Sequence, residues 1–535
     1  MNDNDVCIHD NAWRCRDCNN TLSSARREVV MMSCGDCEKV SEANDDTAEF
    51  VASLSSFKLQ DTQLDRQSTN DLAERCLAKF DDTKASLECR AISLYAVVAQ
   101  ITSGNALMLA YLPDICRRLR TRSVLSQPTT DAGAVDFHRE IISAISVALD
   151  AAPEKLVNES FGAVMQYLVR LVSCEVDQIA ILACDFWAKY AGVPSLPLPP
   201  VRKQWIAAFQ PELPTLIAAL MKQMIYRPAH AEYLEEVANP EHERSLPSDV
   251  EIFADLRYLA AVAFEHVANV YPAELVCATF RPLLEKQIES DSWPEKEASI
   301  LALAAFTEGT GTPEAMRDCY ACVVPRVIDC YADARPLLRS VACFTMPKLV
   351  GHRLRGLKDP WSRVLTCTAR ATRDPCPEVR SVATRALSTL LAYGSSSSAG
   401  RSIGIGSHTS RLVDALVRGG QCDMDPETRC AYFECVSHLV GRASDSLSAT
   451  DMQRLLPPLI HAWKSQPWDR AMDGERTCTT DAPHLTIVPF TMVLANIAVY
   501  GKTLYAPYAE GIFEKACADI EGDASDVYAY RFSMK

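Results

Sequence analysis

Glycine is scarce in this chain, at 20 residues in 535, while apolar residues make up 48% and Leu, Ala and Val dominate them. That mixture suits packed helices better than a sheet or a disordered chain. Positive charge is also short: 54 Lys and Arg stand against 69 Asp and Glu, a net charge of −15. Phosphate binding relies on clustered cations, so nucleic acid is not the expected ligand, and a basic protein partner fits better. Long apolar runs are missing too. A run such as Ala91 to Ile101 carries Ser93 and Gln100 inside it and falls short of the roughly 18 residues that a membrane span needs, so no membrane insertion is expected. The opening residues Met1-Asn-Asp-Asn-Asp contain no basic-then-apolar leader, and the 22 cysteines are mostly scattered through helical positions. The expectation is a reducing, intracellular location with free thiols.

Catalytic signatures are absent as well. The chain has no P-loop, no Gly-x-Ser-x-Gly elbow and no His-Glu-x-x-His helix, so no enzyme is expected. Cys319-Tyr-Ala-Cys322 has the spacing of a redox pair, but it sits in a helical run rather than after a strand, which makes packing its role. Gly404-Ile-Gly406 is no phosphate cradle, since no strand precedes it and no P-loop Lys follows.

What the chain does contain is a repeated turn. Asp333-Ala-Arg-Pro-Leu-Leu-Arg339 and Asp374-Pro-Cys-Pro-Glu-Val-Arg380 each separate two apolar helical runs. The Asp to Arg offset is six in both (339−333 and 380−374), and the turns lie 41 residues apart (374−333), the period of HEAT-type helical hairpins. A third pair, Asp423 and Arg429, follows with the same offset. The expected fold is therefore all-α, an α-solenoid or superhelix of HEAT repeats, in which each hairpin packs only on its neighbours and length sets no limit on the core. In the 333 repeat, Pro336 sits near a helix start and Asp333 is placed to cap it. Leu338, Val341, Ala342, Thr345 and Leu349 make its buried stripe, and Pro347 predicts a kink.

In chain order, residues 1 to 70 are polar and weakly periodic, and they carry Cys15-x2-Cys18 and Cys34-x2-Cys37. That is zinc-ribbon spacing, so Cys15, Cys18, Cys34 and Cys37 are candidate ligands of a structural zinc, with Cys7 and His9 as substitutes. Coincidence in a Cys-rich chain is the alternative. Elsewhere the ten histidines show no ligand spacing. Residues 71 to 525 read as the repeat array. Leu87, Ala91, Leu94, Tyr95 and Val98 share one helix face, and a second helix runs from Leu107 to Leu119. Hairpins follow at Ile141 to Leu149 with Phe161 to Val172, and at Val176 to Tyr190 with Leu213 to Tyr226. Pro194 to Pro200 reads as a helix-free linker. Residues 232 to 251 hold seven acidic side chains against Arg244 and read as a solvated acidic loop able to compete with a basic ligand. Residues 394 to 410 read as a Gly/Ser-rich loop. The last hairpins lie at Met452 to Trp463 and at Ile487 to Tyr500 with Pro507 to Asp519, and residues 526 to 535 form a tail. No polar capping repeat closes the array, so it is either naturally short or truncated.

Several segments go beyond generic HEAT repeats: Asn105-Ala-Leu-Met-Leu109, Ala183-Cys-Asp-Phe-Trp187, Val267-Ala-Asn-Val-Tyr271, Trp293 to Gly309 with its Lys296-Glu-Ala-Ser-Ile-Leu301 core, Leu338-Arg-Ser-Val-Ala-Cys343, and Leu456-Pro-Pro-Leu-Ile460 with Trp463. By their order and spacing over roughly residues 75 to 525 the chain resembles the transportin (karyopherin-β2) branch of the importin-β nuclear transport receptors. The resemblance implies a monomer that shuttles between cytoplasm and nucleus. Its partners would be cargo proteins with basic Pro-Tyr-type nuclear localisation signals, nucleoporins and a Ran-type small GTPase, although the family's first repeats, which hold most of the GTPase surface, have no counterpart here. The cargo contacts it implies, on the concave face, are Val262, Glu265, Leu301, Val341, Phe344, Lys348, Thr389 and Glu434. Phe344 stands where the family has Trp, and Ala392 where it has an acidic contact, which implies weaker binding of basic cargo. A HEAT scaffold for other protein complexes is the alternative.

Overall fold

The structure is a computed structural model that describes residues 8–9, 12–14, 21–22, 45–54 and 65–464, with breaks of which 192–198, 232–247, 310–315, 394–404 and 420–425 are the longest. Three short strands come first: β1 (Ile8–His9), β2 (Ala12–Arg14) and β3 (Thr21–Leu22). They form an antiparallel meander in the order β1-β2-β3. Everything described after them is helical, which is the α-solenoid read from the repeats.

The chain divides into two compact units, residues 1–226 with 242–280, and residues 227–241 with 281–535. In the first unit the helices are α1 (Asp45–Leu54), α2 (Arg66–Asp81), α3 (Leu87–Thr102), α4 (Leu112–Leu119), α5 (Arg122–Leu125), α6 (Ala134–Ala151), α7 (Pro153–Leu156), α8 (Gly162–Val172), α9 (Asp177–Tyr190), α10 (Pro199–Phe209), α11 (Leu213–Gln223) and α12 (Ser248–Val270). Helix α3 packs on α6, α6 on α9 and α9 on α12, forming one layer of second helices. Their partners α2, α4, α8 and α11 complete the hairpins from the other side. The pairing is therefore α4 with α6 and α8 with α9, one helix out of phase with the pairing of 141–149 with 161–172 and of 176–190 with 213–226 expected from sequence.

Helix starts also moved. Described helical structure begins at Asp45, and α1 packs on α3, with Thr47 Oγ1 3.2 Å from Ser86 Oγ. Pro199 and Pro200 open α10 instead of belonging to a helix-free linker; in the first turn the missing N–H costs no hydrogen bond. Residues 248 to 251 start α12 rather than continuing a loop, and the rest of the acidic stretch, 232 to 247, lies outside the described residues.

The second unit contains α14 (Trp293–Gly309), α15 (Arg317–Asp329), α16 (Pro336–His352), α17 (Lys358–Ala371), α18 (Pro377–Tyr393), α19 (Thr409–Gly419), α20 (Pro426–Arg442) and α21 (Ala449–Lys464). The division between the units falls inside the helix that precedes these, α13 (Ala273–Ile288). Second helices α14, α16, α18 and α20 stack in sequence, and first helices α15, α17, α19 and α21 make the other layer. The expected stripe of α16 is buried, with Leu338, Val341, Ala342, Thr345 and Leu349 at 7% exposure or less. Thr345 also donates to Ile300 O on α14. The helix passes through Pro347 to His352. Of the Gly/Ser-rich stretch, 405 to 408 form a 3-10 turn leading into α19, and 394 to 404 lie outside the described residues, as do Asp423 and 465 to 535.

The repeated turn explains how adjacent hairpins lock together. Arg339 donates from Nε to Asp374 Oδ2 and from Nη2 to Asp374 Oδ1, both at 2.7 Å, so it grips the next repeat's aspartate with two bonds. Its Nη1 reaches back to the carbonyls of Asp333 and Ala334, each at 2.9 Å. Arg380 repeats the backward grip on the carbonyls of Asp374 and Pro375. Asp333 does not cap the body of α16 as expected; its Oδ1 accepts from Arg335 N just before the helix, as Asp374 Oδ1 does from Cys376 N. The Arg339 and Asp374 side chains are only 12% and 8% exposed. Deleting either partner strands a nearly buried charge, a loss on the order of 3 kcal/mol. Asp374→Ala should therefore lower the free energy of urea unfolding by that order and move the midpoint down accordingly, and a midpoint unchanged from wild type would refute the bridge.

Candidate functional site

Second helices carry the candidate residues, because their spacing along a 3.6-residue period leaves one stripe of each helix free of the core. In the first unit, α12 holds Val262 and Glu265, both half-buried. One turn before them stands Tyr258, 69% exposed. Tyr258, Val262 and Glu265 fall at i, i+4 and i+7, so they line one face of α12. Tyr258 was not among the residues expected from sequence; its spacing from Val262 is the signal that points to it. His266 on the same helix is held by a hydrogen bond between its Nδ1 and Ala188 O on α9.

In the second unit, α14, α16, α18 and α20 bring together Leu301, Phe344, Lys348, Thr389 and Glu434 on successive helices. Leu301 is half-buried. Phe344 is 44% exposed, a large apolar ring turned away from the core. Lys348 lies over that ring, with Nζ 4.5 Å from its centroid, and pairs with Glu308 Oε1 at 3.0 Å. Phe344, Lys348 and Glu308 thus make one aromatic, cationic and anionic cluster across α14 and α16. Glu308 also escaped the sequence reading, although it lies inside the 293–309 segment, about two turns past its 296–301 core. With side-chain exposures of 25% and 38%, the Lys348–Glu308 pair contributes only about 0–1 kcal/mol, so either charge can be recruited by a ligand.

Val341 is different. At 7% exposure it belongs to the buried stripe and offers a partner almost no surface. Thr389 satisfies itself locally, with Oγ1 donating to Arg385 O at 3.1 Å. Glu434 accepts from Ser388 Oγ at 2.9 Å, a bond across α18 and α20 that orients one carboxylate oxygen. Further contacts between the same two helices, from Thr428 Oγ1 to Ser381 Oγ at 2.7 Å and from Cys435 Sγ to Thr384 O at 3.3 Å, hold them in register.

This arrangement suits recognition of a peptide, with pendant charged and aromatic groups on a rigid layer. Comparison with known proteins adds the likenesses of the whole chain. Mouse transportin-1 is 21% identical over 425 residues, spanning 71% of this chain and 42% of its own length. Rice transportin-1 is 25% identical over 250 residues, 40% of this chain and 26% of its own. The importin subunit beta-2 of Saccharomyces cerevisiae is 22% identical over 369 residues, 61% of this chain and 37% of its own. The chain resembles the transportin karyopherins. It spans less than half the length of these relatives. Among solved structures, Kap121p bound to Nup53p matches 95% of this chain and 44% of its own with a TM-score of 0.62 at 15% identity. Kap121p bound to Pho4p matches 96% and 48% with a TM-score of 0.63 at 14% identity. At those identities the structural likeness establishes the karyopherin-type α-solenoid fold. No protein-family model matches the chain.

Cys15, Cys18, Cys34 and Cys37 lie outside the described residues, and among the described residues no group of His, Cys, Asp or Glu is arranged to hold a metal. Among the described residues no helix is long and apolar enough to cross a membrane. Cys319 is buried and Cys322 exposed on helix α15. Burial pushes the thiols of Cys76 and Cys343 up to about 12; Asp374 adds to the effect at Cys343. The thiolate is the reactive form, so at about pH 8 these two stay protonated. Iodoacetamide should alkylate Cys322 in the folded chain and reach Cys76 and Cys343 only after unfolding, read by peptide mass spectrometry. Equal rates at Cys322 and Cys343 would contradict the burial described here.

Proposed function

We propose that the chain binds cargo for nuclear import, taking an extended basic segment that ends in Pro-Tyr along its second helices. The observation that carries this reading is the exposed Phe344 ring flanked by Lys348 and Glu308, on the same layer of helices as Glu434. Glu434 and Glu308 supply carboxylates for cargo Arg or Lys, and Phe344 supplies an aromatic surface for the apolar end. In the other unit, Tyr258 and Glu265 offer the same pair of chemistries on α12.

The likeness to transportins supports a role in protein import, with movement between cytoplasm and nucleus. Several of the matched Kap121p structures are described as bound to other proteins, among them Nup53p, Pho4p and Ste12p, which fits a solenoid whose work is protein recognition. A Ran-type GTPase and nucleoporins are the further partners that such a role calls for, and the chain acts as a monomer that binds rather than as an enzyme. A structural zinc held by Cys15, Cys18, Cys34 and Cys37 is compatible with this role and not required by it.

An extended segment loses chain entropy on binding, so a few anchors and charge attraction must carry the affinity. Fluorescence anisotropy with a labelled basic peptide ending in Pro-Tyr should show binding to the isolated chain that weakens as salt rises. Phe344→Ala should cost about tenfold in affinity, the usual loss for a modest aromatic anchor, and Glu434→Lys a comparable factor that shrinks at high salt. Absence of binding at low salt would overturn the reading and leave the chain as a HEAT scaffold for other protein complexes.

A further inference from the structure

Away from the second-helix layer, the first unit holds a surface cavity of about 480 Å³ lined by Arg120, Leu125, Ser126, Ala163, Gln166, Tyr167 and Arg170. It lies among α4, α5 and α8, which belong to the first-helix side, and no candidate cargo residue lines it. Its size falls within the range of small-ligand pockets. Two guanidinium groups line it, and no carboxylate does, in a chain whose net charge is −15.

The two arginines are held differently. Arg170 is fixed by a hydrogen bond from Nη2 to Leu125 O, and its guanidinium lies 5.6 Å from the centre of the Tyr167 ring. That ring is itself anchored, since Tyr167 Oη and His138 Nδ1 are 2.7 Å apart. Arg120 follows the last turn of α4, and its backbone N–H bonds to the carbonyls of Arg117 and Arg118. Its Nη1 is buried and has no hydrogen-bond partner. A buried donor attached to a charge is costly to leave unmatched, and two cations on one cavity repel each other until an anion lies between them. Gln166 donates from Nε2 to Glu212 Oε1 at 2.9 Å, at the exposed side of the cavity.

We propose that this cavity is an oxyanion site that takes a phosphate monoester. Arg120 supplies the uncommitted Nη1 donor, and Arg170, pre-oriented by the Leu125 carbonyl and the Tyr167 ring, supplies the second charge. Guanidinium groups suit phosphate because their planar fork matches its oxygens. The monoester can arrive on a phosphorylated protein segment or as a free polyphosphate, and the two are separable by experiment.

The test uses the full chain and isothermal titration with three probes at matched ionic strength: inorganic phosphate, a short phosphoserine peptide beside its unphosphorylated twin, and myo-inositol hexakisphosphate. Ala163 is exposed on α8, so Ala163→Glu places a carboxylate at the cavity without disturbing the core. Arg120→Gln removes one guanidinium. Each variant should weaken whichever probe binds by about tenfold or more, while circular dichroism stays that of wild type. Arg120→Lys, which keeps the charge and loses the fork, should recover part of that loss. Preference for the phosphopeptide over its twin assigns the site to a modified protein segment; preference for the inositol phosphate assigns it to a free polyphosphate. Binding that is equal in wild type and Ala163→Glu, or no phosphate binding beyond that of chloride, would overturn the proposal.

Discussion

The bridge from Arg339 to Asp374 is the contact on which the second unit depends. A solenoid has no central core to set the position of one hairpin against the next, so register must be fixed at each junction. Here a guanidinium ties two carbonyls of its own turn and both carboxylate oxygens of the following turn. The bonds are directional, and the pair is nearly excluded from water, so a slip of either hairpin would leave a charge unmatched. Apolar packing between α16 and α18 stabilises the stack without choosing its register; the bridge chooses it.

Fixed register has a consequence for the exposed side of the layer. Once α14, α16, α18 and α20 stand at set spacings, residues on their free stripes become a row whose members come from sequence positions about 40 to 50 apart. Glu308, Phe344 and Lys348 meet in that way, and Ser388 meets Glu434. None of these contacts is strong. The half-exposed Lys348–Glu308 pair contributes little to stability, which leaves its charges available to a ligand. The buried bridge holds the scaffold and the exposed pairs are free to exchange partners.

How much of this could be read from sequence follows the same physics. The Asp-x5-Arg turn was legible because the 333 and 374 repeats both spell it out in full, and the buried stripe of α16 because five apolar or small residues keep helical period. The phase of the early hairpins was not legible: an apolar stripe marks a helix without saying whether its partner comes before or after it, so α6 was assigned to α8 rather than to α4. Pro199 and Pro200 were read as breakers because proline is costly inside a helix, yet both sit in a first turn where that cost vanishes. Val341 served both as core and as contact in the sequence reading, and burial places it in the core. Glu308 gains meaning only through Lys348 on another helix, and no local pattern announces such a pair.

The central claim is that ligand segments lie along the second helices and not on the first. Site-specific photocrosslinking addresses it directly, with benzoylphenylalanine placed at Phe344 on α16, at Thr389 on α18 and, as the opposing position, at Arg363 on the first helix α17. With a basic peptide ending in Pro-Tyr, adducts should form from positions 344 and 389 and be absent from 363. Adducts from 363 equal to or greater than those from 344 would contradict the account.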